Sequence, residues 1–158
     1  MTLDQIFSLA SIAAMLGWLL LITAVLIGPS ASSAPSAPSA PRRALLFVGG
    51  RCVPLLLCAV YITLLVLHWK SAPGGNFGSL DGVVQLFSSR GKLLGGWVHF
   101  LAFDLFIGRW VIDDVLLASR SRWLLLPSLP LIFMFGPAGL LLYFALRTVA
   151  PGTSAVLR

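Results

Sequence analysis

The sequence predicts an all-α membrane protein with four transmembrane helices and one short amphipathic helix at the membrane surface, in a single domain. Hydrophobic residues make up 58% of its 158 residues and only 10% are charged, and the mean hydropathy is +0.97. This composition excludes an ordinary soluble domain. The net charge of +6 does not indicate nucleic-acid binding, because the basic residues stand singly or in pairs between apolar runs. There they are expected to flank membrane spans and contact lipid head groups.

The first span is predicted at about residues 6–28. A cleaved signal peptide is the alternative, but Asp4 precedes the apolar run where a signal peptide carries Lys or Arg, and the run is longer than a signal-peptide core of about 7–15 residues. A retained helix is therefore favoured. Residues 29–43 are rich in Pro, Ser and Ala, a composition that predicts a flexible, solvated linker. The second span follows at about 48–69.

A short amphipathic helix is predicted at about 79–89. Its apolar side chains recur at helical spacing and would form one face that lies on the membrane surface: Leu80, Val83, Val84 and Phe87. The third span is predicted at about 93–118 and the fourth at about 123–146. The fourth contains the sequence FGPAG around Pro137, which predicts a kink or break. Irregular backbone in lipid must be covered by protein or by a wet cavity, so we expect the break to face the third helix.

The basic residues do not decide the membrane orientation of this four-helix arrangement. One side would carry Arg42, Arg43, Arg120 and Arg122, with Arg51 as a possible fifth, and the other side would carry Lys70, Arg90, Lys92, Arg147 and Arg158. The positive-inside rule finds no clear difference between these two sets.

The third span carries most of the candidate functional residues: His99, Asp104, Arg109, Asp113 and Asp114. A charge at the centre of a membrane helix costs about 2.5–3.5 kcal/mol on insertion scales. At about 100° per residue, His99, Arg109 and Asp113 share one stripe, whereas Asp104 points nearly opposite to Asp113. A straight helix therefore cannot aim all these groups at one point.

Each of these groups has a structural and a functional interpretation. Arg109 and Asp113 are four residues apart and could simply neutralise each other. Asp104 has no cation three or four residues away, so it is either a neutral acid that fixes helix packing or a buried acid used for proton transfer. His99 is either a hydrogen-bonded residue near the interface or a part of the site.

Several classes of enzyme and site are excluded. The chain has no HExxH, GxSxG or glycine-rich phosphate loop, and Glu is absent. Two histidines on different spans make a poor metal site, and Cys52 and Cys58 are most simply packing residues. No metal and no cofactor is predicted.

The motifs of the third span resemble the signature of the abscisic acid-deficient protein family. They are Trp97-Val98-His99, Ala102-Phe103-Asp104-Leu105-Phe106 and Gly108-Arg109-Trp110. Segments of the other helices are similar as well, among them Ile6 to Ala10 and Phe135-Gly136-Pro137. The resemblance covers nearly the whole chain except the linker.

The resemblance implies a small membrane protein related to those that plants require for making neoxanthin from violaxanthin. Such a protein would be an isomerase that opens a carotenoid or isoprenoid epoxide with an acid and a base. Asp104 and His99 are the candidates for acid and base, and Arg109 and Asp114 would hold charge or the substrate oxygen. Aromatic side chains would form an apolar wall for the substrate: Trp97, Phe100, Phe103, Phe106 and Trp110.

Two other functions stay open at this point: a non-catalytic carotenoid-binding or accessory subunit, and a small proton-coupled transporter built around Asp104 and the broken fourth helix. The expected partners are membrane lipids and a carotenoid or other isoprenoid, with no nucleic acid. The absence of a plastid-type leader favours a multi-pass protein of a bacterial cytoplasmic membrane. The oligomeric state is left open.

Overall fold

A computed structural model describes residues 1–27, 39–118 and 120–149. Every regular element in these ranges is helical, which confirms the all-α class. The seven α-helices are α1 (Leu3–Leu26), α2 (Ala40–Phe47), α3 (Val53–Leu67), α4 (Leu80–Phe87), α5 (Arg90–Leu117), α6 (Leu125–Phe135) and α7 (Pro137–Val149). A π-helical turn at Val48–Cys52 continues α2 into α3, and a 3₁₀ turn at Arg122–Leu124 precedes α6.

The predicted linker falls mainly outside the described residues, since 28–38 are not among them. Its last part differs from the prediction, because Ala40 to Arg43 form the first turn of α2. Pro41 suits this position, since a proline in the first helical turn withholds a donor that would have no partner there. The second helical segment therefore starts earlier than predicted and runs from Ala40 to Leu67.

Local sequence signals explain where α1 and α4 begin. The Thr2 hydroxyl accepts a hydrogen bond from the Gln5 backbone N–H, and the Gln5 side chain accepts one from the Thr2 backbone. This capping box satisfies two of the free donors at the start of α1. At α4, the Ser79 hydroxyl accepts from the Gly82 N–H, and Asp81 in the first turn complements the helix dipole.

Helices α1 and α5 lie side by side and run in the same direction. At one end Arg90 Nη2 is 2.7 Å from Asp4 Oδ1, and further along the Trp97 indole N–H donates to Ser11 Oγ at 3.3 Å. The segment from α2 to α3 runs the opposite way against α5. Its early part places Gly50 against the side chain of Arg109, and its last part places His68 against Gly91.

Two helical segments are long and apolar enough to cross a membrane by length and composition, Leu3–Leu26 and Ala40–Leu67. Helix α5 has 28 residues but carries several charged side chains. Four transmembrane helices are therefore not confirmed.

The predicted fourth span is not one continuous helix but two short helices that fold back on each other, which we call the α6–α7 hairpin (Leu125–Val149). Gly136 joins them with a φ of +30°, a conformation that glycine adopts readily, and Pro137 cannot donate a hydrogen bond that would continue α6. Gly139 of α7 then packs directly against the backbone of Ile132 in α6. The break expected near Pro137 is present, but it reverses the chain instead of bending it.

Helix α7 runs along α5 towards the C-terminal end of α5. The rings of Tyr143 and Trp110 lie 6.2 Å apart, and Arg147 Nη1 is 3.5 Å from Asp114 Oδ2. The tip of the hairpin thus lies beside the middle of α5, and the end of α7 lies near Asp114 and Arg120.

Candidate functional site

Asp104 lies near the middle of α5, directly beside the hairpin tip. It is 7% exposed, and no described residue hydrogen-bonds to its buried Oδ2. A Cβ built on Gly136 would come within 2.6 Å of Asp104 Oδ1. Only a glycine lets the tip approach the carboxyl group this closely, so the break does face the third predicted span.

An apolar groove of about 590 Å³ ends one helical turn before Asp104, with Phe100 as the last α5 residue of its lining. It lies between the first turns of α1 and α5 and the end of α4. Its apolar walls are formed by Leu3, Phe7, Phe87, Leu93, Trp97 and Phe100. The ion pair between Asp4 and Arg90 stands at its rim.

Phe100 lines the groove and also lies close to the surroundings of Asp104. Phe100 Cε2 lies 3.6 Å from the position that a Cβ on Gly136 would take, so Phe100, Gly136 and Asp104 are mutual neighbours. Phe100 precedes Asp104 by one helical turn and therefore shares its face of α5. The groove and the buried acid are therefore neighbours through Phe100, although Asp104 itself does not line the groove.

His99 lies on a different face of α5. Its ring stacks on Phe103 with centroids 4.5 Å apart and lies 5.5 Å from the ring of Tyr61 in α3. It lines a second cavity of about 570 Å³ between α3, α4 and α5. Five helical residues separate His99 from Asp104, which corresponds to about 140° of rotation and about 7.5 Å of rise. The fold therefore does not bring the predicted acid and base together.

Arg109 and Asp113 form an ion pair, with Nε 2.7 Å from Oδ2. The two side chains thus neutralise each other within α5, as the structural interpretation of this pair predicted. The aliphatic part of Arg109 packs against Gly50. Neither side chain approaches Asp104, because the pair lies further along α5, beside the π-helical turn that contains Gly50.

Asp114 lies at the end of α5 and is held by α7. The Tyr143 hydroxyl donates a hydrogen bond to Asp114 Oδ2, and Arg147 stands beside the same oxygen. Tyr143 is fully buried. Tyr143 and Arg147 were not among the predicted site residues, because nothing local in the sequence shows that the chain reverses and returns to Asp114.

The predicted aromatic wall is divided between two faces of α5. Trp97 and Phe100 line the groove, where their rings stack with centroids 6.0 Å apart. The other members do not line the groove: Phe103 stacks on His99, Trp110 packs against Tyr143 and Phe144, and Phe106 is exposed. A ligand in the groove would therefore contact only the first pair.

Within the described part of the chain, no group of three or more His, Cys or Asp side chains is placed to hold a metal ion. The groups that the structure places here are the carboxyl group of Asp104, the apolar groove and the ion pair at its rim.

Comparisons with known proteins agree with the resemblance seen in the motifs. The family model ABA4-like, described as ABA DEFICIENT 4-like, matches residues 5–143. The protein ABA DEFICIENT 4, chloroplastic, of Arabidopsis thaliana is 28% identical in an alignment of 105 residues that covers 60% of this chain and 45% of that protein. This chain therefore spans about half the length of that relative. No solved structure matches.

Proposed function

Because this chain belongs to the ABA4-like family, we propose that it is an integral membrane protein that binds a carotenoid or related isoprenoid and isomerises it by acid–base chemistry. One observation carries the proposal: a buried carboxyl group, that of Asp104, has an oxygen without a described partner and lies one helical turn beyond Phe100, the last α5 residue that lines an apolar groove. Isolated ionisable groups in apolar surroundings are costly and mark functional sites.

Integration into the membrane is supported by the outward-facing surface of the helices. The outer faces of α1, α3 and α5 expose large apolar side chains along their length, among them Leu19, Leu55 and Phe106. Contiguous apolar surface of this kind is rare on monomeric soluble proteins. We place the chain as a multi-pass protein in a bacterial cytoplasmic membrane, with lipids as its surroundings.

The groove suits a long apolar ligand with a polar end. Its walls are aliphatic and aromatic, and its volume lies in the range of about 300–1,000 Å³ typical of ligand sites. Asp4 and Arg90 at the rim can hydrogen-bond a hydroxyl group. A hydroxylated isoprenoid would place its chain along Trp97 and Phe100 and extend towards Asp104.

The proposed reaction is an isomerisation of an epoxide to an allenic alcohol. Asp104, starting as the neutral acid, donates its proton to the epoxide oxygen while the ring C–O bond breaks. The vinylic C–H bond next to this centre then breaks, its electron pair forms the second double bond of the allene, and the proton goes to the carboxylate. The proton balance closes on one carboxyl group, and nothing is oxidised or reduced.

The other predicted residues take different roles in this scheme. His99 lines the second cavity and would contact only a part of the ligand that enters there. Arg109, which packs against Gly50, and Asp114, which accepts from Tyr143, hold α5 against its neighbours and do not touch the reacting atoms.

The test is a pigment analysis in a bacterial host that makes an epoxycarotenoid. Wild type is compared with Asp104→Asn, which keeps the shape of the side chain, and with Asp81→Asn, a matched change at an exposed carboxyl group. We expect a new product of unchanged mass with wild type and Asp81→Asn, and a loss of at least 100-fold with Asp104→Asn. The same product from Asp104→Asn would refute the assignment. Pigment that co-purifies unchanged with wild type would show a binding or accessory protein instead.

A proton-coupled transporter is the second candidate, favoured by the short, broken helices whose tip meets a buried acid. Secondary transporters place their sites at such interrupted helices near the middle of the membrane. Uptake into vesicles that depends on a pH gradient and disappears with Asp104→Asn would favour this function. An isomerase would show no such gradient dependence.

A further inference from the structure

The charged side chains of the described residues are divided unevenly between the two ends of the helix bundle. At one end, arginines hold the last carbonyl groups of α1: Arg42 Nε donates to Ala24 O at 3.0 Å and Arg122 Nη1 donates to Val25 O at 3.3 Å. Cations at the C-terminus of a helix are favoured by its dipole. This end also contains the start of α2 and the end of α5.

The α6–α7 hairpin adds a further arginine to the same end. Arg120 Nη1 donates to the backbone carbonyl of Arg147 at 3.3 Å, and Arg147 stands beside Asp114. The 11 residues of α6 and the 13 of α7 reach only about 16 Å and about 20 Å, which is short of a hydrocarbon core of about 30 Å. Neither arm can cross a membrane alone.

The return of the hairpin changes the charge balance that the four-helix prediction implied. One end, which we call the basic end, now carries Arg42, Arg43, Arg120, Arg122 and Arg147, together with the acidic Asp113 and Asp114 near the end of α5. The opposite end carries Lys70, Arg90 and Lys92 together with the acidic Asp4 and Asp81. The four-helix arrangement placed Arg147 on the opposite side and left the two ends nearly equal.

We infer that the basic end lies at the cytoplasmic leaflet and contacts its anionic lipid head groups, and that the α6–α7 hairpin is re-entrant, entering and leaving through that leaflet. The inference rests on the membrane integration proposed above, but not on any reaction. An excess of Lys and Arg in short flanking segments sets the cytoplasmic side, and the negative surface potential of that leaflet attracts basic clusters. The start of α1 and all of α4 then lie at the opposite face.

Cysteine labelling with a membrane-impermeant maleimide tests both the orientation of the basic end and the re-entrant path of the hairpin. In a background of Cys52→Ala and Cys58→Ala, single cysteines are introduced as Ser39→Cys and Thr148→Cys at the basic end and as Ser88→Cys at the opposite end, all at exposed positions. Each variant is labelled in intact spheroplasts and in inverted membrane vesicles. Extraction of the membranes with alkaline carbonate, as a separate measurement, shows whether the chain is integral.

We expect Ser39→Cys and Thr148→Cys to be labelled at least tenfold more in inverted vesicles than in spheroplasts, and Ser88→Cys to show the reverse. If Thr148→Cys is labelled from the same side as Ser88→Cys, the hairpin crosses the membrane and the re-entrant arrangement is refuted. If Ser39→Cys and Thr148→Cys are both labelled in spheroplasts, the orientation is refuted. Release of the chain by carbonate would instead remove the membrane premise, independently of the labelling.

Discussion

Substituting Gly136 by alanine tests whether the hairpin tip rests against the buried acid. The tip reverses the chain at a φ of +30°, and the added methyl group would lie 2.6 Å from Asp104 Oδ1. The next nearest side chain, Phe100, would be at an ordinary van der Waals distance of 3.6 Å. The loss of unfolding free energy in Gly136→Ala should therefore have two separable causes, the backbone conformation and the contact with Asp104.

Gly74 provides a matched control for the backbone contribution. It also has a positive φ, +80°, but a Cβ added there meets nothing within 4 Å. Gly74→Ala should lower the free energy of unfolding by about 1–2 kcal/mol, the cost of a left-handed conformation for a residue with a Cβ. Gly136→Ala should cost about 1–3 kcal/mol more, because overpacking a close contact adds that amount.

The assay is equilibrium unfolding of the purified protein in mixed micelles, followed by circular dichroism. In an Asp104→Ala background the contact is absent, so the extra cost of Gly136→Ala should fall by at least about 1 kcal/mol, which a double-mutant cycle measures. If Gly136→Ala costs no more than Gly74→Ala, or if the cycle shows no coupling, the hairpin tip does not lie against Asp104.

Two further predictions concern the contacts that hold the helices together. Tyr143→Phe removes the hydrogen bond to Asp114 and should lower the free energy of unfolding by about 1–3 kcal/mol in the same assay. Tyr61→Phe, the control, should cost less than half of this. Equal costs would contradict the packing of α7 against Asp114. Gly49→Ala brings a methyl group within 2.8 Å of a backbone carbonyl of α1 and should cost about 1–3 kcal/mol. A Cβ added at Gly95, the control position, would have its nearest neighbour 3.8 Å away, so Gly95→Ala should leave the stability unchanged or raise it. If Gly95→Ala is as destabilising as Gly49→Ala, close packing is not the cause of the loss at Gly49.

The local features of the site could be predicted from the sequence because they depend on neighbours within one helix. Charged groups in an apolar run of helical length are costly in any fold, which singled out Asp104. The spacing of four residues allowed the Arg109–Asp113 pair. The rotation of 100° per residue puts His99 and Asp104 on different faces, yet the sequence analysis paired them as acid and base, and the structure does not bring them together. The FGPAG segment predicted the break at Pro137 from backbone chemistry alone.

Only the tertiary structure decided what the break does and which groups meet there. A broken helix can bend and continue or reverse, and the choice depends on contacts between residues distant in sequence. Gly139 packs on Ile132, and Tyr143 reaches Asp114, 29 residues earlier in the chain. These contacts place Gly136 against Asp104 and return Arg147 to the basic end. The sequence by itself determined a helical, apolar chain with Asp104 inside an apolar run. The reversal of the chain at Gly136 determined what surrounds Asp104, because packing between distant segments cannot be read from any one of them.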